Sequence, residues 1–385
     1  MIRYDEYVMR SIERVYGGKI DLVLSALLRP PSRLYVRVNT LRASVEEVIE
    51  MIRDEGYDVY RDERVHEALY FKVEGPNTIK DHGFRVLVDK KASESIMMGA
   101  NVYSPGVLEC DSMIKAGTIA TIYSENMIPI AEGEAVISCE EARRSGKGLF
   151  LRNIKSLYRA PPVRELKAWN KGLIYPQSLP SMVTSRILDP RPGEVIVDMC
   201  AAPGGKTGHI YELSRGRSFI YAFDHSKKRV GEMISNLSRL GHIPSNNLTI
   251  EIADSRYLSI DYPNLVADKI LLDPPCTSTG VRPKIYDMKR EKDLRNLVEY
   301  QSQFLSEAYR ILRRGGILVY STCSITYDEN EGLLKRFIDK KMFKEVDPPE
   351  WAINISTPGV DDIGIRFDPY RDDSQGYFIG VLMKI

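Results

Sequence analysis

Two short segments hold side chains able to do covalent chemistry, Asp273-Pro274-Pro275-Cys276 and Ser321-Thr322-Cys323-Ser324. Each follows an apolar run of strand type, Lys269 to Leu272 and Gly316 to Tyr320. The carboxyl ends of strands in an open α/β sheet face one crevice, so two thiols and a carboxylate should converge there. A thiolate can add to carbon 6 of a cytosine, which turns carbon 5, otherwise a poor nucleophile, into an enamine carbon able to take a methyl group. The addition needs a proton or strong hydrogen bond at ring nitrogen N3, which Asp273 can supply if its surroundings raise its pKa. A second thiol, alone or through water, can then help the carbon 5 proton leave so that the first thiol is eliminated. An ordinary thiol, with a pKa of about 8.5, is mostly protonated at neutral pH. The nucleophile should therefore sit near positive charge, with Lys206 and a bound sulfonium as the candidates. The chemistry leaves open which of the two thiols attacks. Either cysteine taken singly could equally be a small buried filler.

A methyl donor needs a site, and Val195 to Thr207, VIVDMCAAPGGKT, has the form of one. A buried strand runs into a small, Gly-rich turn and then a helix over His209 to Ser214, a setting where backbone N–H groups meet a ligand closely. A phosphate-binding P-loop would match Gly205-Lys206-Thr207 but needs glycine where Cys200 stands, and the adjacent glycines do not fit G-x-G-x-x-G. An S-adenosylmethionine loop remains, with Cys200, Ala201, Ala202, Pro203, Gly204, Gly205 and Lys206 around the ligand and Cys200 contributing through its backbone. Asp224, closing the strand Ser218 to Phe223, is placed to accept from both ribose hydroxyls, with Arg229 nearby. Asp254, after the strand Leu248 to Ile252, is placed for the adenine amino group, and Asp273 borders the same pocket. A lone aspartate at such a point is often only a turn or helix cap; Asp198, Asp224 and Asp254 at successive strand ends argue for a site.

The elements that must carry these residues fall into three regions, 1–82, 83–161 and 162–385. The first reads as a small α+β unit. Val8, Ile12, Val15 and Tyr16 recur at helical spacing, Leu34 to Val38 alternates as a strand, and Ser44-x-x-Glu47 opens a helix ending near Gly56. The second is a run of short β segments, at Phe84 to Val88, Thr118 to Tyr123, Ala135 to Ser138 and Gly148 to Ile154, expected to form a small barrel or sandwich. In the third, strands alternate with helices, which predicts a doubly wound parallel sheet closed by Tyr377 to Met383.

Among 385 residues, 54 basic against 53 acidic side chains leave a net charge of +1, but the charges are not evenly spread. From Arg143 to Lys171 nine basic residues stand against Glu165 alone, and Leu22 to Val45 holds Arg29, Arg33, Arg37 and Arg42 without an acid. Such clusters can form a footprint for a polyanion, or merely a solvated face. The candidate contacts are Arg143, Arg144, Lys147, Arg152, Lys155 and Arg159. No apolar run exceeds five residues, and the first residues lack a signal-type apolar block, so a soluble, cytoplasmic protein without a membrane span is expected. Five cysteines, none in a C-x-x-C pair, fit neither a disulfide scaffold nor a zinc ribbon. Cys110 and Cys139 are read as fillers, and the five histidines show no metal spacing.

The pieces DMCAAPGGKT, ADSR at Ala253 to Arg256, DPPCTSTG, STCSI and Glu329-Asn330-Glu331 together resemble the Nol/Nop/Sun (RsmB-like) RNA cytosine-5 methyltransferases, from about Pro176 onward. RVNTLR at Arg37 to Arg42 resembles a signature of that family's RRM-like N-terminal domain. The segments VDKKASESIMMGANVYSPGV, KAGTIATIYS and GLFLRNI look like a PUA domain. The resemblance implies a Rossmann-like methyltransferase sheet with an RRM-like N-terminal α+β unit and an inserted PUA-like β-barrel. It implies that Cys323 is the nucleophile and that Cys276 assists release. A PUA domain before the catalytic core is similar to the subfamily that modifies cytosine 72 of tRNA, and such modules commonly grip tRNA 3′ ends and stems. The expected activity is therefore S-adenosylmethionine-dependent methylation of a tRNA cytosine, with the acceptor stem and 3′ end as partner and neither a metal nor an obligate protein partner. The alternatives are an rRNA substrate, a catalytically idle RNA-binding protein, or an amino-group methyltransferase. The last would place an aromatic residue after Asp-Pro-Pro where this chain has Cys276.

Overall fold

The computed structural model describes residues 2–385. Its largest sheet has nine strands: β1 (Val195–Asp198), β2 (Phe219–Asp224), β3 (Leu248–Ile252), β4 (Ala267–Leu272), β5 (Leu312–Thr322), β6 (Phe343–Glu345), β7 (Thr357–Pro358), β8 (Ile365–Phe367) and β9 (Tyr377–Lys384). They run in the order β3-β2-β1-β4-β5-β9-β8-β7, with β6 also paired to β9. The first five are parallel and β9 is antiparallel to β5. The central strands are covered on both faces, which is why they read as unbroken apolar runs. Val197, Ile270, Leu318 and Tyr320 point into one core, and Ile196, Leu271 and Val319 into the other. The long helix Glu291–Ile311 packs on the first face. The helices Leu179–Leu188, Gly205–Leu213 and Lys227–Arg239 pack on the second.

The first two helices, Glu6–Tyr16 and Ile20–Leu27, place Val8, Ile12, Val23 and Leu27 in the core beneath β1, β4 and β5. The strand Ile2–Tyr4 pairs with Asp287–Lys289. The four-stranded sheet of the N-terminal region has the order Ile174–Pro176, Arg33–Val38, Ala68–Lys72, Tyr60–Arg61. Its edge strand Ile174–Pro176 comes from beyond the β-rich segment, so that segment is an insertion within the sheet. The helix Val45–Asp54 carries the expected capping box between Ser44 and Glu47.

The inserted unit is a six-stranded sheet, mostly antiparallel, with one parallel pair between Arg85–Val88 and Ile119–Ser124. Two expectations fail here. Ala135 to Ser138 is not a strand: the strand is Pro129–Ala135, and Ser138 instead caps the helix Cys139–Ser145 through a second capping box with Glu141. Cys110 and Cys139 are not separate fillers but a disulfide, with Cα atoms 5.9 Å apart. The strand Val107–Cys110 and the helix start bring the two together within an apolar core, a proximity that 29 residues of intervening chain conceal.

Candidate active site

Loop Met199 to Gly204 leaves β1 and enters the helix Gly205–Leu213, four residues earlier than the spacing suggests, so Lys206 and Thr207 lie in its first turn. Gly204 has φ +97°, and a Cβ there would stand 2.9 Å from Met233 Cγ, so the left-handed turn and the close helix packing both call for glycine. Asp198 anchors the loop from below, its Oδ2 accepting from Thr207 Oγ1 at 2.7 Å. Burial pushes the Asp198 carboxyl up to about 7, although the Thr207 hydrogen bond opposes this.

Asp224 ends β2, buried, with Oδ1 accepting from Ser226 N at 3.0 Å and Oδ2 3.2 Å from Arg229 Nη1. Arg229 also donates to the Ala202 carbonyl and so ties the loop to the carboxylate. Asp254 follows β3 with its carboxylate gripped by Arg256, Nη2 at 2.5 Å and Nε at 2.9 Å, and this hydrogen bonding holds it below the usual carboxylate range. One cleft is lined by Cys200, Asp224, Asp254 and Phe304 together with Asp273, Cys276 and Cys323. Carboxylate acceptors and apolar walls at Phe304 and Pro274 form a set that fits an adenosine-linked methyl donor.

The reactive groups stand at the ends of β4 and β5. Cys276 and Cys323 face each other with sulfurs 3.4 Å apart, both half-buried. The hydrogen bond from Cys276 draws the Cys323 thiol down; the same contact and burial push Cys276 up. Asp273 is held between polar partners. Lys206 Nζ donates to its Oδ2 at 2.5 Å, and Ser321 Oγ to its Oδ1 at 3.0 Å. Burial opposes the charge on Lys206, but Asp273 more than offsets it and holds the ammonium form. Cys200 lines the cleft, its thiol pushed well up by burial.

Two sets of residues here escaped a reading by sequence. Glu329, fully buried, receives Thr277 N at 2.8 Å, Thr277 Oγ1 and Ser324 Oγ at 2.5 Å, Thr326 Oγ1 at 3.0 Å and Gln301 Nε2 at 3.0 Å. One carboxylate thus holds both thiol-bearing loops, while Asn330 accepts from Thr322 and donates to the Ser324 and Thr326 carbonyls. The only signal was the placement of Glu329-Asn330-Glu331 just after STCSI. The second set overturns part of the charge reading. Arg37 is not a surface cation for RNA but wholly buried, with Nε and Nη2 each 2.8 Å from Glu212 and Nη1 2.6 Å from the Gly205 carbonyl. The RVNTLR segment therefore locks the N-terminal sheet onto the helix that carries Lys206.

The six basic residues named from the sequence are all exposed: Arg143 and Arg144 on the helix Cys139–Ser145, Lys147 in the following turn, Arg152 and Lys155 on the strand Leu149–Ser156, and Arg159 beyond it. Within the same basic run, Arg164 lies 5.8 Å over the Trp169 ring and is partly committed to packing.

Comparison with known proteins gives a match of residues 185–383 to the family model for 16S rRNA methyltransferase RsmB/F. Residues 84–157 match a PUA domain, and residues 4–78 match the ferredoxin-like domain of RsmF/B-like methyltransferases. The tRNA (cytosine(72)-C(5))-methyltransferase of Pyrococcus horikoshii is 41% identical over 369 residues, 94% of this chain and 92% of that protein. The human tRNA (cytosine(72)-C(5))-methyltransferase NSUN6 is 29% identical, over 91% of this chain and 83% of its own. The crystal structure of NSun6 from Pyrococcus horikoshii with SFG, an analogue of S-adenosylmethionine, is similar at a TM-score of 0.91 and 38% identity, covering 99% of this chain and 98% of that one.

Proposed function

The chain belongs to the RsmB/F methyltransferase family, and from that premise we propose that it methylates carbon 5 of cytosine 72 in the acceptor end of tRNA. The observation that carries this reading is the thiol pair at 3.4 Å, which lines one cleft together with Asp273, the partner of Lys206, and with the carboxylates Asp224 and Asp254. S-adenosylmethionine, when bound, supplies an electrophilic methyl group. Cys200 to Lys206, Asp224, Arg229, Asp254 and the edge of Asp273 would hold it, with Cys200 serving through its backbone. Cys323 attacks carbon 6 of the base as the thiolate, favoured by the hydrogen bond from Cys276. The Lys206–Asp273 pair faces ring nitrogen N3, and the proton it holds between Nζ and Oδ2 is donated there, steadying the charge that develops on addition. After methyl transfer Cys276, having first given its own proton to solvent, takes the carbon 5 proton, alone or through water, and the Cys323 sulfur departs as the thiolate.

Residues 83–161 are read as the unit that grips the RNA, with its basic residues on the backbone of the acceptor stem, a recognition by shape and charge. No helix among the described residues is long and apolar enough to cross a membrane. The deciding experiment is bisulfite sequencing of total RNA incubated with enzyme and cofactor. One protected cytosine at position 72 of tRNA is expected; protection confined to rRNA would overturn the substrate. A second expected result concerns the basic face. Arg152→Glu combined with Arg159→Glu should weaken tRNA binding and flatten its salt dependence, by a slope of roughly one per lost phosphate contact, with cofactor affinity intact. Unchanged RNA affinity would make this face an ordinary solvated surface.

A further inference from the structure

We propose that Ser278 is a further catalytic residue, its hydroxyl donating a hydrogen bond to the Cys323 sulfur and stabilising it as the attacking and departing thiolate. This rests on the reading of Cys323 as the nucleophile. Three hydroxyl residues follow Cys276 in a row, and the structure divides their work. Thr277 Oγ1 is spent on Glu329, and Thr279 Oγ1 on Ser324 Oγ at 3.0 Å and Ile325 N at 3.1 Å. Only Ser278 turns toward the sulfurs: the Cys323 thiol donates to its Oγ at 3.6 Å and Cys276 Sγ lies 3.9 Å from it, so that once Cys323 gives up its proton the hydroxyl is left to be the donor. It does so from φ +55°, in the left-handed region that favours glycine, so the chain carries a side chain where its backbone conformation is better served by none. The turn is pinned there: the Ser278 carbonyl accepts from Lys284 Nζ at 2.9 Å, and Lys284 is itself buried and paired with Asp287 at 3.0 Å.

The surroundings show why an uncharged donor is needed. Asp273, on the β4 side, disfavours a negative sulfur, and Lys206, on the cofactor helix, favours it. Lys206 is already neutralised by Asp273, however, and the Tyr377 hydroxyl from β9 points at Asp273 at 3.4 Å. Behind Cys276 lies the buried Glu329, with the Tyr320 hydroxyl on its carbonyl at 2.7 Å. Among the described residues that leaves Cys276 and Ser278 within hydrogen-bond reach of the Cys323 sulfur, and Cys276 is required as the base. As the methylated ring is released, Ser278 remains to stabilise the departing thiolate.

The test is the pH dependence of Cys323 alkylation by iodoacetamide in the full chain without cofactor or RNA, read peptide by peptide by mass spectrometry to separate Cys276 and Cys200. Ser278→Gly suits the backbone and should keep or raise Tm; Ser278→Ala keeps the Cβ. In both, the Cys323 midpoint should rise by about one pH unit, slowing alkylation at pH 7 about tenfold and moving the acid limb of kcat/KM equally. A midpoint unchanged in both variants overturns the proposal. So does a change in Ser278→Ala alone, which would mark Ser278 as a turn residue only. Should the unaltered chain fail to methylate tRNA, the functional reading falls, while the thiol titration still reports on Ser278.

Discussion

Replacement of Cys323 by alanine should abolish both methyl transfer and any covalent enzyme–RNA adduct, whereas Cys276→Ala should leave the adduct in place and let it accumulate. The two thiols are 3.4 Å apart and similarly half-buried, so position alone does not separate them. Either sulfur can donate to the other at that distance, and the assignment of Cys323 as nucleophile follows from the likeness of its Ser-Thr-Cys segment to the family's pattern. Loss of the nucleophile should reduce the rate on the order of 10⁴-fold or more, and without a base for the carbon 5 proton the methylated adduct cannot resolve. A denaturing gel of enzyme incubated with tRNA and cofactor reads both results. A slow-migrating complex with Cys323→Ala and none with Cys276→Ala would reverse the assignment.

The second large effect is expected far from the thiols. Arg37→Met should destabilise the protein by about 3–5 kcal/mol, because it strands the Glu212 carboxylate, only 2% exposed, without its bidentate partner. The loss should also reach the cofactor, since Arg37 Nη1 holds the carbonyl of Gly205, the first residue of the helix bearing Lys206. Denaturant unfolding of the chain with and without cofactor measures both. The double variant Arg37→Met with Glu212→Leu removes the stranded charge and should recover much of the stability but not the cofactor affinity. A single variant within about 1 kcal/mol of the parent would show that the buried pair does not clamp the helix.

The chemistry was legible from sequence where it sits on short pieces of chain tied to a regular pattern. Cys276, Cys323, Asp224 and Asp254 each follow a strand that reads clearly from its apolar residues, and a parallel sheet delivers all such ends to one edge. Arg37 misled, since an arginine in an acid-free stretch looks like a solvated cation until Glu212, 175 residues later, is brought against it. The Cys110–Cys139 disulfide was missed for a similar reason, with no pattern in the intervening chain to announce it.

Sequence by itself pointed to the candidate thiols, the class of methyl donor and the succession of strands that would carry them, because these depend on residue type and on spacings within one β-α-β step. Tertiary structure alone decided which partners those atoms face. It set Lys206 on Asp273, bound both thiol loops to Glu329, turned Ser278 rather than its neighbours toward the sulfurs, and returned Ile174–Pro176 to the first sheet across the inserted domain. Such contacts join residues tens to hundreds of positions apart, and their energies come from burial and hydrogen-bond geometry that no local pattern encodes.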